Sequence, residues 1–472
     1  MKETNKYATQ KQLKNWSDVS SDELKAFLGI IITMGAITLP NIDLYWSSDP
    51  YYRQDSVADV MTVKRFKKIR EAFHCNDNET AARRGEPNYD KLHKVRPVID
   101  ALNKKFQNVY VPSNCHSIDE SMILFKGRSI MKQFMPKKPI KRGYKVWVRA
   151  DPVTGYISQF EVYTGKSPSA ASQDPLGSRV VKSLCESIHG SNYDYPVLII
   201  FDNFFTSFEL MKDLLQKQLY AVGTVRTNKK TLPPQFKTKQ KLKRGEQLAF
   251  IKNNVSAGVW QDNRPVHFLT TAHSAINVVT VQRKEKDGSK SLVPCPKALR
   301  DYTAYMRGVD RFDQLKESYS VTRRSKKYWF RLFYFLVDAA LVNAYILHQM
   351  FFAGTQKKML HIDFQKLVSQ HLVANFSSRK KRGASSLYYL NKKFTSGTKA
   401  IGVPPEIRFA NVGCHFPEEG ESYRRCRLCS TAHHDKRSKL VCSTCRVPLC
   451  ATPFLLQTLS SNVMSLLCIV AC

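Results

Sequence analysis

The stretch Val197-Leu198-Ile199-Ile200-Phe201-Asp202 decides the fold. A short continuous apolar run predicts a central strand covered on both faces. Upstream of it, Ser117 to Phe125, Lys145 to Ala150 and Tyr156 to Tyr163 read as strands, with Asp151-Pro152-Val153-Thr154-Gly155 as the turn between the last two. Arg179 to Ile188 reads as a helix with Val180, Val181, Leu184 and Ile188 on one face. Downstream, Thr206 and Glu209 fit a capping box for a helix through Leu215, and Tyr220 to Val225 reads as another buried strand.

Three strands, a helix, a strand, a helix and a strand is the order of an α/β fold with an RNase H-like core, an order other mixed folds share in part. Residues 1–113 read as a helical part. Ser20 and Glu23 form a capping box, and Leu24, Phe27, Leu28 and Ile31 follow at helical spacing. A second helix is expected near Val63 to Phe73, where Lys64, Arg65, Lys67, Lys68 and Arg70 suggest a DNA-facing surface. The core is expected over 114–228, an inserted β-rich module over 229–297, and the rest of the core over 298–320. Helical character is expected from about Tyr302 to Met350. A second helical part and linker-rich region fills 321–412, with little structure from 353 on. A cysteine-rich part occupies 413–472.

The chain has 472 residues, and 43% of them are hydrophobic, enough to bury a sizeable core. Lys and Arg number 74 against 39 Asp and Glu, a formal charge of +35. An excess of that size calls for a polyanionic partner. Met1-Lys2-Glu3-Thr4-Asn5 carries no apolar segment of the kind a secretion signal needs. Tyr328 to Phe352 is apolar but broken by Arg331, Asp338 and His348, so it reads as a buried helix; the tail Phe454 to Cys472 is interrupted by Gln457, Ser460, Ser461 and Asn462 and reads as too polar for a span. No membrane association is expected.

Phosphodiester cleavage and transfer use two divalent cations roughly 3.5 to 4 Å apart. Mg²⁺ prefers carboxylates and water, so such a site needs acidic side chains converging from different elements. Asp119 lies on the first strand, Asp202 ends the apolar strand, and Asp310 lies on an expected helix with Asp313 three residues on, on the same face. Each has a plainer reading: a turn or cap for Asp202, surface carboxylates for Asp310 and Asp313, and Glu120 in place of Asp119. Asp151 reads as a turn former.

Four segments together carry a more specific signal: Ser117-Ile118-Asp119-Glu120-Ser121-Met122 through Phe125-Lys126-Gly127-Arg128, then Phe201-Asp202-Asn203-Phe204-Phe205-Thr206-Ser207, then Gly223-Thr224-Val225-Arg226-Thr227-Asn228-Lys229, then Gly308-Val309-Asp310 with Asp313. In this order they resemble the signature blocks of piggyBac transposases. Thr4-Asn5-Lys6-Tyr7-Ala8, Trp16 and Tyr45-Trp46-Ser47 are similar to that family's N-terminal helical region. The resemblance implies a Mg²⁺-dependent nuclease and strand transferase that cuts transposon ends, passes through a DNA hairpin and inserts at TTAA. Its metal ligands would be Asp119, Asp202 and Asp310, with Asp313 a helper, and the flanking helices would form a dimerisation and DNA-binding domain.

Lys126, Arg128, Lys137, Lys138, Arg226, Lys229, Arg323 and Arg324 are the expected phosphate contacts on double-stranded DNA, against the plainer reading of solvated charge. Arg379-Lys380-Lys381-Arg382 reads as a nuclear import signal. Of 12 cysteines, eight follow position 400. Cys426-x₂-Cys429 and Cys442-x₂-Cys445 have the spacing of zinc knuckles, with Cys450 a fifth ligand for structural Zn²⁺. The resemblance implies a cross-braced, two-zinc domain that binds the transposon ends. The chain departs from that pattern after Cys450, running into Ala451-Thr452-Pro453 and an apolar tail with only Cys468 and Cys472. The competing functions are a domesticated DNA-binding protein that no longer transposes and a zinc interaction module resembling a RING ligase, which the +35 charge disfavours.

Overall fold

The computed structural model describes residues 1–136, 138–165, 174–188, 196–229, 232, 234–237, 241–274, 276–354, 358–378, 417–426, 430, 435–443 and 446–448. The chain divides into two units, Met1–Arg379 and Lys380–Cys472.

The first unit opens with α1 (Lys2–Gln10), α2 (Ser21–Ala36), α3 (Asp55–Ala58), α4 (Val63–Ala72) and α5 (Arg96–Val109). Helix α2 starts where expected: the Ser20 hydroxyl accepts the Glu23 N–H at 3.1 Å. The Glu23 carboxylate does not return to Ser20. It takes a two-pronged bond from Arg65 of α4, at 2.8 and 2.5 Å, a geometry suited to guanidinium. The other cations of α4 are also engaged internally: Lys67 pairs with Asp43, Lys68 donates to the carbonyls of Lys14 and Asn15, and Arg70 donates to the Arg324 carbonyl. The basic face of α4 therefore stitches the helical part together, and only Lys64 keeps the character of a DNA-facing charge.

Then follow β1 (Cys115–Leu124), β2 (Gln133–Phe134), β3 (Arg142–Ala150), β4 (Ile157–Val162), α6 (Leu176–Leu184), β5 (Val197–Phe201), α7 (Phe208–Gln216) and β6 (Leu219–Thr224). Strands β7 (Gln247–Lys252), β8 (Val255–Gln261) and β9 (Pro265–Thr270) come next, with the ribbon β10 (Val278–Lys284) and β11 (Lys290–Pro296). Helices α8 (Lys297–Tyr305), α9 (Gly308–Ser318), α10 (Tyr328–Phe351) and α11 (His361–Val373) complete the unit. One sheet runs β2-β3-β1-β5-β6-β9-β8-β7, with β4 paired to β3. Strands β1, β5 and β6 are parallel to one another, whereas β3 and β4 are antiparallel neighbours. Residues 229–297 therefore do not interrupt the sheet. Their first three strands extend it from β6 through β9, and only β10–β11 stands apart as a two-stranded ribbon.

Strand alternation divides the core in two. Ile118 and Trp147, opposite-face neighbours of Asp119 and Val148, pack with Val180, Leu184, Phe201 and Leu214 under α6 and α7. Val146, Val148 and Ala150 face the helical part, where α10 supplies Phe330, Phe335 and Leu336. Helix α10 is the one described helix long and apolar enough to cross a membrane, and 78% of its apolar window is buried inside the protein. Helix α11 falls inside the stretch expected to be linker. It docks on α2 closely enough that a Cβ at Gly29 would stand 2.7 Å from Val373 Cγ2, and the Thr33 and Ser369 hydroxyls meet at 2.7 Å. In the second unit β12 (Pro417–Arg425) pairs antiparallel with β13 (Arg437–Cys442).

The expected helix from 302 to 350 breaks twice, after Tyr305 and after Ser318. The second break is held by Asp338 of α10, whose buried carboxylate accepts the Val321 N–H at 2.8 Å and the Ser320 hydroxyl at 2.7 Å. Burial pushes this carboxyl up to about 7 despite the two hydrogen bonds. A group whose folded pKa is raised stabilises the fold below its unfolded value, near 4, and loses that contribution as pH climbs through about 7. Asp338→Asn keeps an oxygen for Val321 and a donor for Ser320, so it should match or exceed wild-type stability at pH 8 and flatten the rise seen on acidification to pH 5. Asp338→Ala should lose about 1–3 kcal/mol by orphaning two buried polar groups. Chemical denaturation across this pH range checks both.

Candidate active site

The parallel register of β1 and β5 pairs Ile118 with Phe201, both in the core beneath α6 and α7. The next residue on each strand, Asp119 and Asp202, therefore turns to the opposite face, side by side on backbones roughly 4.8 Å apart. That face is the one α9 covers. Ser117 and Ser121, two residues either side of Asp119, both meet α9: a side chain at Gly308 would collide with Ser117 Oγ and stand 2.9 Å from the Asp151 carbonyl, and Ser121 Oγ donates to Asp313 Oδ1 at 2.6 Å.

The local electrostatics are those of crowded carboxylates. Burial raises Asp119 to about 7, opposed by Lys138 and reinforced by Glu120 and Asp202. Asp202 is raised too, chiefly by burial, while a bond from the Phe204 N–H at 2.8 Å pulls the other way. That bond is an Asx turn, so the plainer reading of Asp202 as a turn former is realised on one of its oxygens. Tyr302 of α8 completes the wall. Its hydroxyl lies 3.5 Å from Thr224 Oγ1, and its pKa is raised by burial and then by Asp202 and Asp119. Nothing in the sequence marked Tyr302, because one tyrosine in an amphipathic helix reads as core.

Asp310 lies exposed in the first turn of α9, where the helix N-terminus favours an anion. It is within electrostatic reach of Lys138, whose pKa Asp119, Glu120 and Asp310 all raise against the opposing effect of burial. Lys138 Nζ is 3.3 Å from Glu120 Oε1, and Lys145 Nζ is 3.7 Å from Glu120 Oε2. Glu120 thus belongs to the cluster beside Asp119 rather than replacing it. Among the described residues, no three His, Cys, Asp or Glu side chains converge to hold a metal ion. Two of the three expected ligands are brought together, and the third sits at the rim beside Lys138. The donor set suits a hard cation: oxygen ligands, crowded and partly desolvated.

Asp313 is engaged elsewhere. It accepts from Lys316 Nζ at 2.6 Å as well as from Ser121, and the buried Lys316 ammonium also reaches Ser121 Oγ at 3.1 Å. These three side chains fasten α9 to β1. Among the expected DNA contacts, Lys126, Arg128, Arg226 and Arg324 are exposed, and Arg226 donates to Asn203 beside Asp202 at 2.7 Å. Lys229 is half-buried, and burial followed by Arg226 lowers its pKa. Arg323 turns inward onto the Tyr45 hydroxyl at 2.8 Å. Lys145, part of the same basic stretch as Lys138, is buried with its ammonium 3.7 Å from the Trp147 ring, so it serves the core and not a surface. Lys137 lies outside the described residues.

In the second unit, Cys426 and Cys442 are both buried. Cys426 N–H donates to the Lys436 carbonyl at 2.7 Å, just before β13, and Cys442 ends that strand. Six residues of extended chain separate those points by roughly 20 Å, too far for one ion. After Cys442 the chain turns back, with Arg446 N–H bonding the Cys442 carbonyl at 2.9 Å. Cys429, Cys445, Cys450 and the basic run at 379–382 lie outside the described residues.

A family model described as Transposase IS4 matches residues 1–345. Similar human proteins include PiggyBac transposable element-derived protein 5, 28% identical over 392 residues, and PiggyBac transposable element-derived protein 3, 30% identical over 382 residues. Each match covers 79% of this chain, which spans 72% of the first relative and 61% of the second. A cryo-EM structure of a piggyBac transposase synaptic complex with hairpin DNA shares the fold, with a TM-score of 0.68 at 21% identity over 96% of this chain and 91% of that one.

Asp313→Ala should cost roughly 3 kcal/mol by stranding the Lys316 charge in the core. Adding Lys316→Met should recover most of that loss in urea melts.

Proposed function

This chain belongs to the piggyBac-type transposase family, and from that membership we propose that it is a cut-and-paste DNA transposase that cleaves and transfers strands at TTAA sites. The observation that carries the reading is that Asp119 and Asp202 each directly follow the Ile118–Phe201 pair of two parallel strands, and interact electrostatically there. The strand order β3-β1-β5-β6, with β3 antiparallel and the others parallel, supports an RNase H-like core, with 229–297 as its insertion and helical parts on either side.

Asp119, Asp202 and Asp310 would hold Mg²⁺, which when bound supplies Lewis-acid activation of the scissile phosphodiester and of the attacking oxygen. Around them the chain's own residues divide the labour. Asp119 and Asp202 concentrate negative charge in a partly desolvated pocket. Lys138 offsets part of that charge and lies within electrostatic reach of Asp119, Glu120 and Asp310 alike. The Ser121–Asp313–Lys316 tie holds α9, and so Asp310, against β1. Exposed Lys126, Arg128, Arg226 and Arg324 supply phosphate contacts that set the register of a duplex.

Further parts of the reading are a homodimer acting on double-stranded DNA, nuclear localisation through residues 379–382, and structural Zn²⁺ on the cysteines after 425. The separation of Cys426 from Cys442 favours two zinc ions over one.

A second reading, a DNA-binding descendant without transposition, is favoured by one observation: Asp310 is exposed, and among the described residues no three His, Cys, Asp or Glu side chains group to hold a metal. Incubation of the protein with Mg²⁺ and a plasmid carrying its genomic flanking sequences separates the two. The transposase reading expects end cleavage that falls at least about a thousandfold in Asp202→Ala, with DNA affinity retained. Wild-type cleavage no greater than that of Asp202→Ala, with binding intact in both, leaves the DNA-binding reading.

A further inference from the structure

The ribbon β10–β11 has two chemically different faces. Its inner face is anchored. Val293 and Cys295 pack with Val222 of β6, Trp260 and Phe268, and Trp260 Nε1 donates to the Pro294 carbonyl at 2.8 Å. Two neighbouring acids are neutralised on this side: Asp262, in the turn between β8 and β9, by Arg244 and Arg283, each at 3.1 Å, and Glu285, in the turn of the ribbon, by Arg244 at 2.5 Å. The outer face carries Thr280, Gln282 and Lys284 on β10 and Lys290 and Leu292 on β11, all exposed and none acidic. Lys286 stands exposed in the turn.

Two observations single out this face. Lys284 and Lys290 are directly paired across the ribbon, and like charges in that position are destabilising unless an anion lies over them. Among the described residues Lys284, Lys286 and Lys290 make no ion pair, while the two acids of the turn are engaged elsewhere, Glu285 by Arg244 and the Ser291 hydroxyl, and Asp287 by the Ser289 hydroxyl at 2.7 Å. A two-stranded antiparallel ribbon is also one of the two elements that fit the major groove, about 12 Å wide.

We propose that the outer face of β10–β11 is a duplex-DNA contact, with Lys284, Lys286 and Lys290 on phosphates and Thr280, Gln282 and Leu292 directed at base edges in the groove. The inference rests on the DNA-transposing reading above and adds to it a surface away from the carboxylates. The anchoring to β6, the strand beside β5, means that DNA gripped by the ribbon is held on the same rigid sheet that carries Asp202.

The test is fluorescence anisotropy of a labelled mixed-sequence duplex with the full chain over a salt series. The variant Lys284→Gln/Lys286→Gln/Lys290→Gln should bind roughly tenfold or more weakly at physiological salt, with the log–log salt slope shallower by about 2–3. Lys290→Gln alone should melt no lower than wild type without DNA, because it removes a repulsive pair. Should the triple variant melt early, Lys286→Gln alone, in the turn, carries the test with a slope change of about 1. An unchanged slope in variants that melt normally overturns the ribbon contact while leaving the transposase reading standing. A wild-type chain that binds no duplex overturns both.

Discussion

Two carboxylates that repel each other are held side by side because the backbone leaves them no alternative. The β1–β5 register is fixed by Ile118 and Phe201, which must both reach the core under α6 and α7. A slip by one residue would turn that apolar row away from α6 and α7 and onto the face that α9 covers. Hydrophobic burial on one face of the sheet therefore enforces electrostatic crowding on the other. Burial is the largest cause of the raised Asp119 pKa, about 7, and the neighbouring Glu120 and Asp202 add to it.

The rest of the site distributes compensation for that crowding. Lys138 and Lys145 approach Glu120 from two directions, one half-exposed, the other held over Trp147 and Phe204. The division is functional in kind. A cation fixed by aromatic rings keeps its charge in place whatever binds, whereas a cation on a loop can yield to a metal or a phosphate. Helix α9 is fastened at both its first and second turns, so the exposure of Asp310 reflects its angular position on the helix and not a loose element.

Much of this was legible in the sequence because it depended on local rules. The run 197–201, the turn at Asp151 and the cap at Ser20 each follow from a few adjacent residues, and Asp151 does accept the Val153 and Thr154 N–H groups at 2.8 Å. What was missed depended on distant partners. Helix α7 is capped by Ser207, not Thr206, because the Thr206 hydroxyl is drawn to the Asp202 carbonyl. The cations of α4 looked like a DNA surface until their carboxylate and carbonyl acceptors appeared from other elements. Helix α11 was concealed in a polar stretch because its apolar stripe is narrow and needs α2 to bury it. Strands β7 to β9 read as a separate module because no local feature of Pro265 to Thr270 announces that β6 is its neighbour.

The docking of α11 on α2 has a consequence for biosynthesis. Thr33 and Ser369 meet across 336 positions of chain. A ribosome adding roughly 5–20 residues per second leaves the α2 surface without its partner for on the order of tens of seconds. The N-terminal helices cannot complete their packing while the sheet is being made, so the nascent chain carries an unfinished apolar face through most of translation.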